Sequence, residues 1–254
     1  MSNYVEPVVN KYKRPAGIDA TTKSNVFDLL SSQIKTWAYR NSFYLTDIKL
    51  SGSRAKGTAI SLSSDMDMFI SLSSTNTASL GSVFNSLYSY FNDLYTCRKQ
   101  NVSIRVTYSN TKVDLVPGKR QDRYSNDHGL YKSKQDSWTK TNIDKHISMV
   151  KGSNLIIEIA AAKIWRERHG LDFPSIFLEL ATLEALKNRG TTDHDANFLT
   201  LLEYFRDNIQ TVRIVDPANT NNVISSDLSA TAKQTISSQA RKSRNEQYRK
   251  DILW

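Results

Sequence analysis

The chain of 254 residues has one cysteine, Cys97, and only four histidines. A single thiol excludes an internal disulfide and any cysteine cage for zinc, which needs several such ligands. Nine glycines and five prolines are too few for a collagenous or low-complexity chain, and 39% hydrophobic residues are too many for a disordered one. Long uncharged apolar runs are missing as well. The most apolar segment, LIIEIAAAKIW (155–165), is broken by Glu158 and Lys163, and the opening MSNYVEPVVNKYKRP has no apolar signal core. These absences predict a soluble globular protein of a reducing cytoplasm, with no membrane partner. The last shortage is of acidic residues: 25 against 34 lysines and arginines, a net charge of +9. That balance suits polyanionic ligands such as nucleotides or RNA, and an ordinary basic surface equally.

What is present centres on LSGSRAKGTAISLSSDMDMFISL (50–72). Asp65 and Asp67 stand two apart at the head of Met66–Leu72, whose apolar and branched residues predict a buried strand, so both carboxylates project to one face. Such a pair suits Mg²⁺, a hard cation that prefers carboxylate and phosphate oxygens and keeps several waters. A third carboxylate is expected, and Asp114 in TKVDLVPG is the candidate, on a second short buried strand ending at Pro117. Upstream, with eleven residues between it and Asp65, Gly52-Ser53 supplies the phosphate cradle. Gly52 allows close backbone approach, and Ser53 offers a hydroxyl and an amide beside a short helix predicted to start near Arg54. A lone Gly-Ser is usually a turn and a lone Asp-x-Asp a solvated strand end; the combination carries the reading.

Around this segment the periodicity predicts a helix over 23–40, a strand over 45–51, and a second helix from Leu80 through Leu94. An alternating strand at Val102, Ile104, Val106 and Tyr108 follows, leading by a Ser-Asn-Thr turn into the Asp114 strand. Residues 119–146 are polar and rich in turn formers and read as a loop, and from about Asn154 the signals are helical, with Gly170 and Gly190 as stops. The predicted class is α+β: a mixed-sheet catalytic lobe over 1–120 and an α-helical lobe over 121–254.

Gly-Ser, eleven residues, then Asp-x-Asp resembles the DNA polymerase β-type nucleotidyltransferase superfamily. TNIDKH (141–146), AAKIWRERHGLDFPSIFLE (161–179) and VRIVDPANTNNV (212–223) resemble, in order and spacing, motifs of the branch that holds the bacterial CD-NTases, cyclic GMP-AMP synthase and the oligoadenylate synthetases. Archaeal CCA-adding enzymes share the first two more loosely. Ile143 stands where that branch often has a proline.

The resemblance implies a polymerase β-like fold and two Mg²⁺ ions, with Mn²⁺ as a substitute, held by Asp65 and Asp67, Asp114 completing one of the two sites. It further implies that Lys163 and Ser175 contact the nucleotide triphosphate and His146 a phosphate or sugar. The bland alternatives are a surface lysine, a helix N-terminus after Pro174, and a partly buried histidine. The implied product is a cyclic di- or trinucleotide made from NTPs, ATP among them, in antiphage (CBASS-type) signalling. An activating RNA or protein would be a further partner, and no stable nucleic-acid complex is expected. A template-independent RNA nucleotidyltransferase of the CCA-adding or tailing kind and a non-catalytic module of the same fold stand as alternatives.

Overall fold

The computed structural model describes residues 3–17, 26–63, 65–109, 111–190 and 192–254. These divide into two compact units. The sheet unit takes the described residues of 15–57 and 64–147; the helical unit takes those up to Arg14, the segment Thr58–Ser63 and Ser148–Trp254. The boundary expected at 120 therefore lies at 147, and the first described residues belong with the helical unit.

In the sheet unit, α2 (Asp28–Arg40) precedes β1 (Leu45–Ser51), the short α3 (Gly52–Lys56), β2 (Met66–Leu72) and α4 (Leu80–Asn92). Residues 23–25 of the expected first helix lie outside the described residues. Ser79 caps α4 by accepting from the Ser82 amide at 3.0 Å, as a serine before an apolar helical run should. Strands β3 (Thr96–Lys99), β4 (Ile104–Tyr108), β5 (Thr111–Arg120), β6 (His128–Lys132) and β7 (Ser137–Thr141) complete a seven-stranded sheet. Its order is β1-β2-β5-β4-β3, with β6 on β5 and β7 on β6. Only β2 and β5 run parallel.

Alternation decides the faces. Met66, Met68, Ile70 and Leu72 of β2, Val113 and Leu115 of β5, and Ile104 and Val106 of β4 are buried in one core with Leu30, Ile34 and Trp37 of α2 and Val83, Phe84, Leu87 and Phe91 of α4. The intervening residues, Asp67, Asp114 and Arg105 among them, consequently belong to the opposite face.

Two expectations for this unit are corrected. Pro117 does not end the Asp114 strand, which continues to Arg120. Along one flank β5 pairs with β4 up to Leu115 and with β6 from Gly118, so Pro117 falls in the gap where no antiparallel partner needs its missing N–H. Residues 119–146 are not a plain loop: they hold the end of β5, the β6–β7 hairpin and the start of α5 (Ile143–Gly152).

The helical unit is built from α1 (Val5–Tyr12), α6 (Ile156–Arg168), α7 (Ser175–Ala185), α8 (His194–Asn208), α9 (Ala230–Asn245) and the terminal turn α10 (Arg249–Ile252). Val5, Val8 and Val9 of α1 join its core, and the Tyr4 amide donates to Asp195 at 3.0 Å. At the centre Trp165 stacks on Phe205, ring centroids 5.8 Å apart, and its indole N–H donates to Ser243 Oγ at 2.9 Å. A small hairpin, β8 (Val215–Asp216) with β9 (Asn219–Val223), turns through Pro217 while Asp216 accepts from the Ala218 amide at 2.8 Å. Among the described residues no helix is long and apolar enough to cross a membrane.

Candidate catalytic centre

The register of three strands builds the centre. Asp67 of β2 is the partner of Asp114 across the parallel ladder, and Asp114 is the partner of Arg105 across the antiparallel one. All three side chains lie on the face away from the core, so two carboxylates and a guanidinium form a row across β2, β5 and β4. Asp65, two residues before Asp67, has the same parity and joins them.

Gly52 closes the row from above. It follows β1, whose last residue Ser51 pairs with Asp67, and it has φ +59°, a left-handed value that favours glycine. A β-carbon there would lie 1.8 Å from Asp67 Oδ2. The glycine is therefore required twice, by its torsion and by the carboxylate packed against it. Ser53 follows in α3, half-buried.

Arg105, which sequence reasoning missed, is the third component. Its Nε donates to Asp114 Oδ1 at 2.9 Å and its Nη2 to Asp114 Oδ2 at 2.8 Å, and Nη2 also pairs with Asp65. Its pKa is raised, chiefly by the hydrogen bonding to Asp114, despite partial burial. Gln100 Nε2 adds a bond to Asp114 Oδ1 at 3.1 Å and is itself held by Ser103. With the guanidinium between Asp65 and Asp114, no group of three His, Cys, Asp or Glu among the described residues is set to hold a metal ion as it stands. The donor set nonetheless fits a hard cation: three carboxylates gather where a permanent positive charge already sits. The signal for Arg105 was a charged residue between two apolar ones on an alternating strand, but its partners follow from register, which the sequence does not spell out.

The remaining predicted residues lie elsewhere. His146 is half-buried on α5, two residues after Asp144, whose carboxylate binds Lys49 of β1 at 2.6 Å. Lys163 and Ser175 belong to the helical unit. Lys163 is neither a surface lysine nor a group presented to solvent: its ammonium lies 2.8 Å from Glu179 Oε1 and 2.8 Å from Thr58 Oγ1, with the two charged side chains 3% and 1% exposed. Ser175 opens α7 and accepts from Arg166 Nη1 at 3.1 Å. Tyr131 packs on Phe84 and donates to Asp136, and Tyr204 lies half-buried against Phe205.

No protein-family model matches the chain, and no curated protein does. Solved structures do. CdnC of E. coli MS115-1 with ATP superposes with a TM-score of 0.73 at 17% identity, covering 94% of this chain and 90% of that one. CdnG of Bradyrhizobium diazoefficiens, a CD-NTase solved with GTP, gives 0.73 at 10% identity over 95% and 89%. A cytoplasmic RNA terminal U-transferase gives 0.66 at 10% identity over 96% and 92%. The chain shares the fold of these CD-NTase and U-transferase structures.

Proposed function

We propose that this chain is a metal-dependent nucleotidyltransferase that joins NTPs into a small cyclic second messenger. The observation that carries the reading is the row of Asp67, Asp114 and Asp65 on the face of the sheet away from the core, with Gly52 packed directly on Asp67. Mg²⁺, when bound there, supplies charge neutralisation for the triphosphate and acidifies the attacking hydroxyl. Asp65 and Asp67 would hold the ions. Asp114 would complete one of the two ion sites and, held by Gln100, would take the proton of the incoming hydroxyl. The side chain that Gly52 lacks lets the Asp67 carboxylate pack against the backbone, and Ser53 offers phosphate oxygens its amide and hydroxyl.

The fold alone does not choose the acceptor. One observation favours a nucleotide over a polymer: the chain matches CD-NTases along nearly their whole length. The likeness to the terminal U-transferase and the charge of +9 favour the second reading, an RNA-tailing enzyme. A role in antiphage signalling in the cytoplasm follows from the first reading. Incubating the protein with Mn²⁺ or Mg²⁺ and four labelled NTPs, then with phosphatase, distinguishes them. Label in small phosphatase-resistant products is expected; label found only on added RNA would establish the tailing enzyme instead.

A further inference from the structure

Resting on the metal-dependent reading, we propose that Arg105 is an internal cation that holds the carboxylate site in the resting protein and must be displaced before metal binds. A guanidinium keeps its charge at any physiological pH, so the competing cation is always present. It is also fixed in place: β4 pairs with β5 so that Arg105 stands opposite Asp114. The fork engages both oxygens of Asp114 and reaches Asp65 across the row. The acids are consequently arranged about nitrogen donors, in place of a common point for an ion.

Displacement is physically accessible. The Arg105 side chain is 29% exposed, so its head can return to water, whereas a fully buried pair would lose its only partner. Asp114 keeps its orientation when the fork leaves, because Gln100 still donates to Oδ1. An arginine that only positioned Asp114 would leave metal affinity lower when removed. A competitor does the opposite, and the sign separates the two roles.

Mn²⁺ binding to Arg105→Gln, measured by calorimetry without nucleotide, tests this. The expected result is a dissociation constant lowered about tenfold from wild type, the loss of one screened charge competition at an accessible site. In EDTA the variant should melt at a lower temperature than wild type, and Mn²⁺ should raise its melting temperature more. Unchanged or weaker Mn²⁺ affinity in the folded variant would overturn the proposal while leaving the metal site standing. Absence of Mn²⁺ binding in wild type and variant alike, matching an Asp67→Asn control, would overturn both. Should the glutamine variant fail to fold, Arg105→Lys keeps the charge and loses the fork; it is expected to bind Mn²⁺ more tightly than wild type, and equal affinity would refute the role.

Discussion

The two units each contain an ion cluster, and the clusters differ in the respect that matters for function. In the helical unit Lys163 pairs with Glu179, is joined by Thr58, and the pair is closed off from water. In the sheet unit Asp65, Asp67, Asp114 and Arg105 bring three negative charges to one positive, and the side chains of Asp65 and Arg105 are 36% and 29% exposed. A balanced buried pair has nothing to offer a ligand, and removing either partner leaves the other charge stranded. A partly exposed group of acids attracts cations and the phosphates they carry. On the proposed function, burial separates a structural pair from the candidate catalytic cluster.

The largest expected effect breaks the open cluster. Asp65→Asn or Asp67→Asn should lower NTP-dependent pyrophosphate release by about a thousandfold or more while circular dichroism stays unchanged, since carboxylate charge is what recruits the metal. Turnover within a few-fold of wild type would remove these residues from the chemistry. In the closed cluster the loss should fall on stability. Lys163→Ala is expected to cost about 3 kcal/mol in urea unfolding by leaving Glu179 uncompensated, and Lys163→Met with Glu179→Leu markedly less. A stable Lys163→Ala with a raised KM for NTP would restore the triphosphate contact implied by resemblance.

Gly52→Ala is intermediate. The added methyl meets Asp67 and forces an alanine to φ +59°, a strain of about 1–2 kcal/mol that displaces a functional carboxylate. Activity should fall by more than the melting temperature would explain. Equal activity would mean the backbone moves freely there.

The smallest effect is of pH, and it reads the two units separately. His128 of β6 and His169 at the end of α6 have lowered pKa values, each chiefly through burial. Their charged forms are disfavoured in the fold, so the unfolded chain binds more protons. Stability is present above the ordinary histidine value and declines as pH falls through it toward the lowered folded values. Melting temperature should drop between pH 7.5 and 5.5, and His128→Gln should flatten the drop in the sheet unit alone. An identical profile in the variant would show that His128 titrates as it does when unfolded.

The parts of this arrangement that were legible in the sequence are the local ones. Leu45–Ser51 and Met66–Leu72 occur as expected because their boundaries are set by turn residues and their faces by alternation. Strands β6 and β7 were unreadable: HGLYK and SWTKT are short and polar, and they gain their order by pairing onto β5 and onto each other. The helix α1 was overlooked although Val5, Val8, Val9 and Tyr12 fall at helical spacing. Asp65 and Asp67 announced themselves by sequence proximity. The partners of Arg105 and Lys163 did not, because sheet register brings Asp114 to the first and tertiary packing brings Thr58, 105 residues away, to the second.

Anomalous diffraction from crystals grown with Mn²⁺ and a non-hydrolysable NTP tests the central claim most directly. The account predicts manganese bound by Asp65 and Asp67, with Asp114 on one ion, the triphosphate beside Gly52, and Arg105 withdrawn from Asp65. An ordered nucleotide whose manganese lies away from these three carboxylates would contradict it.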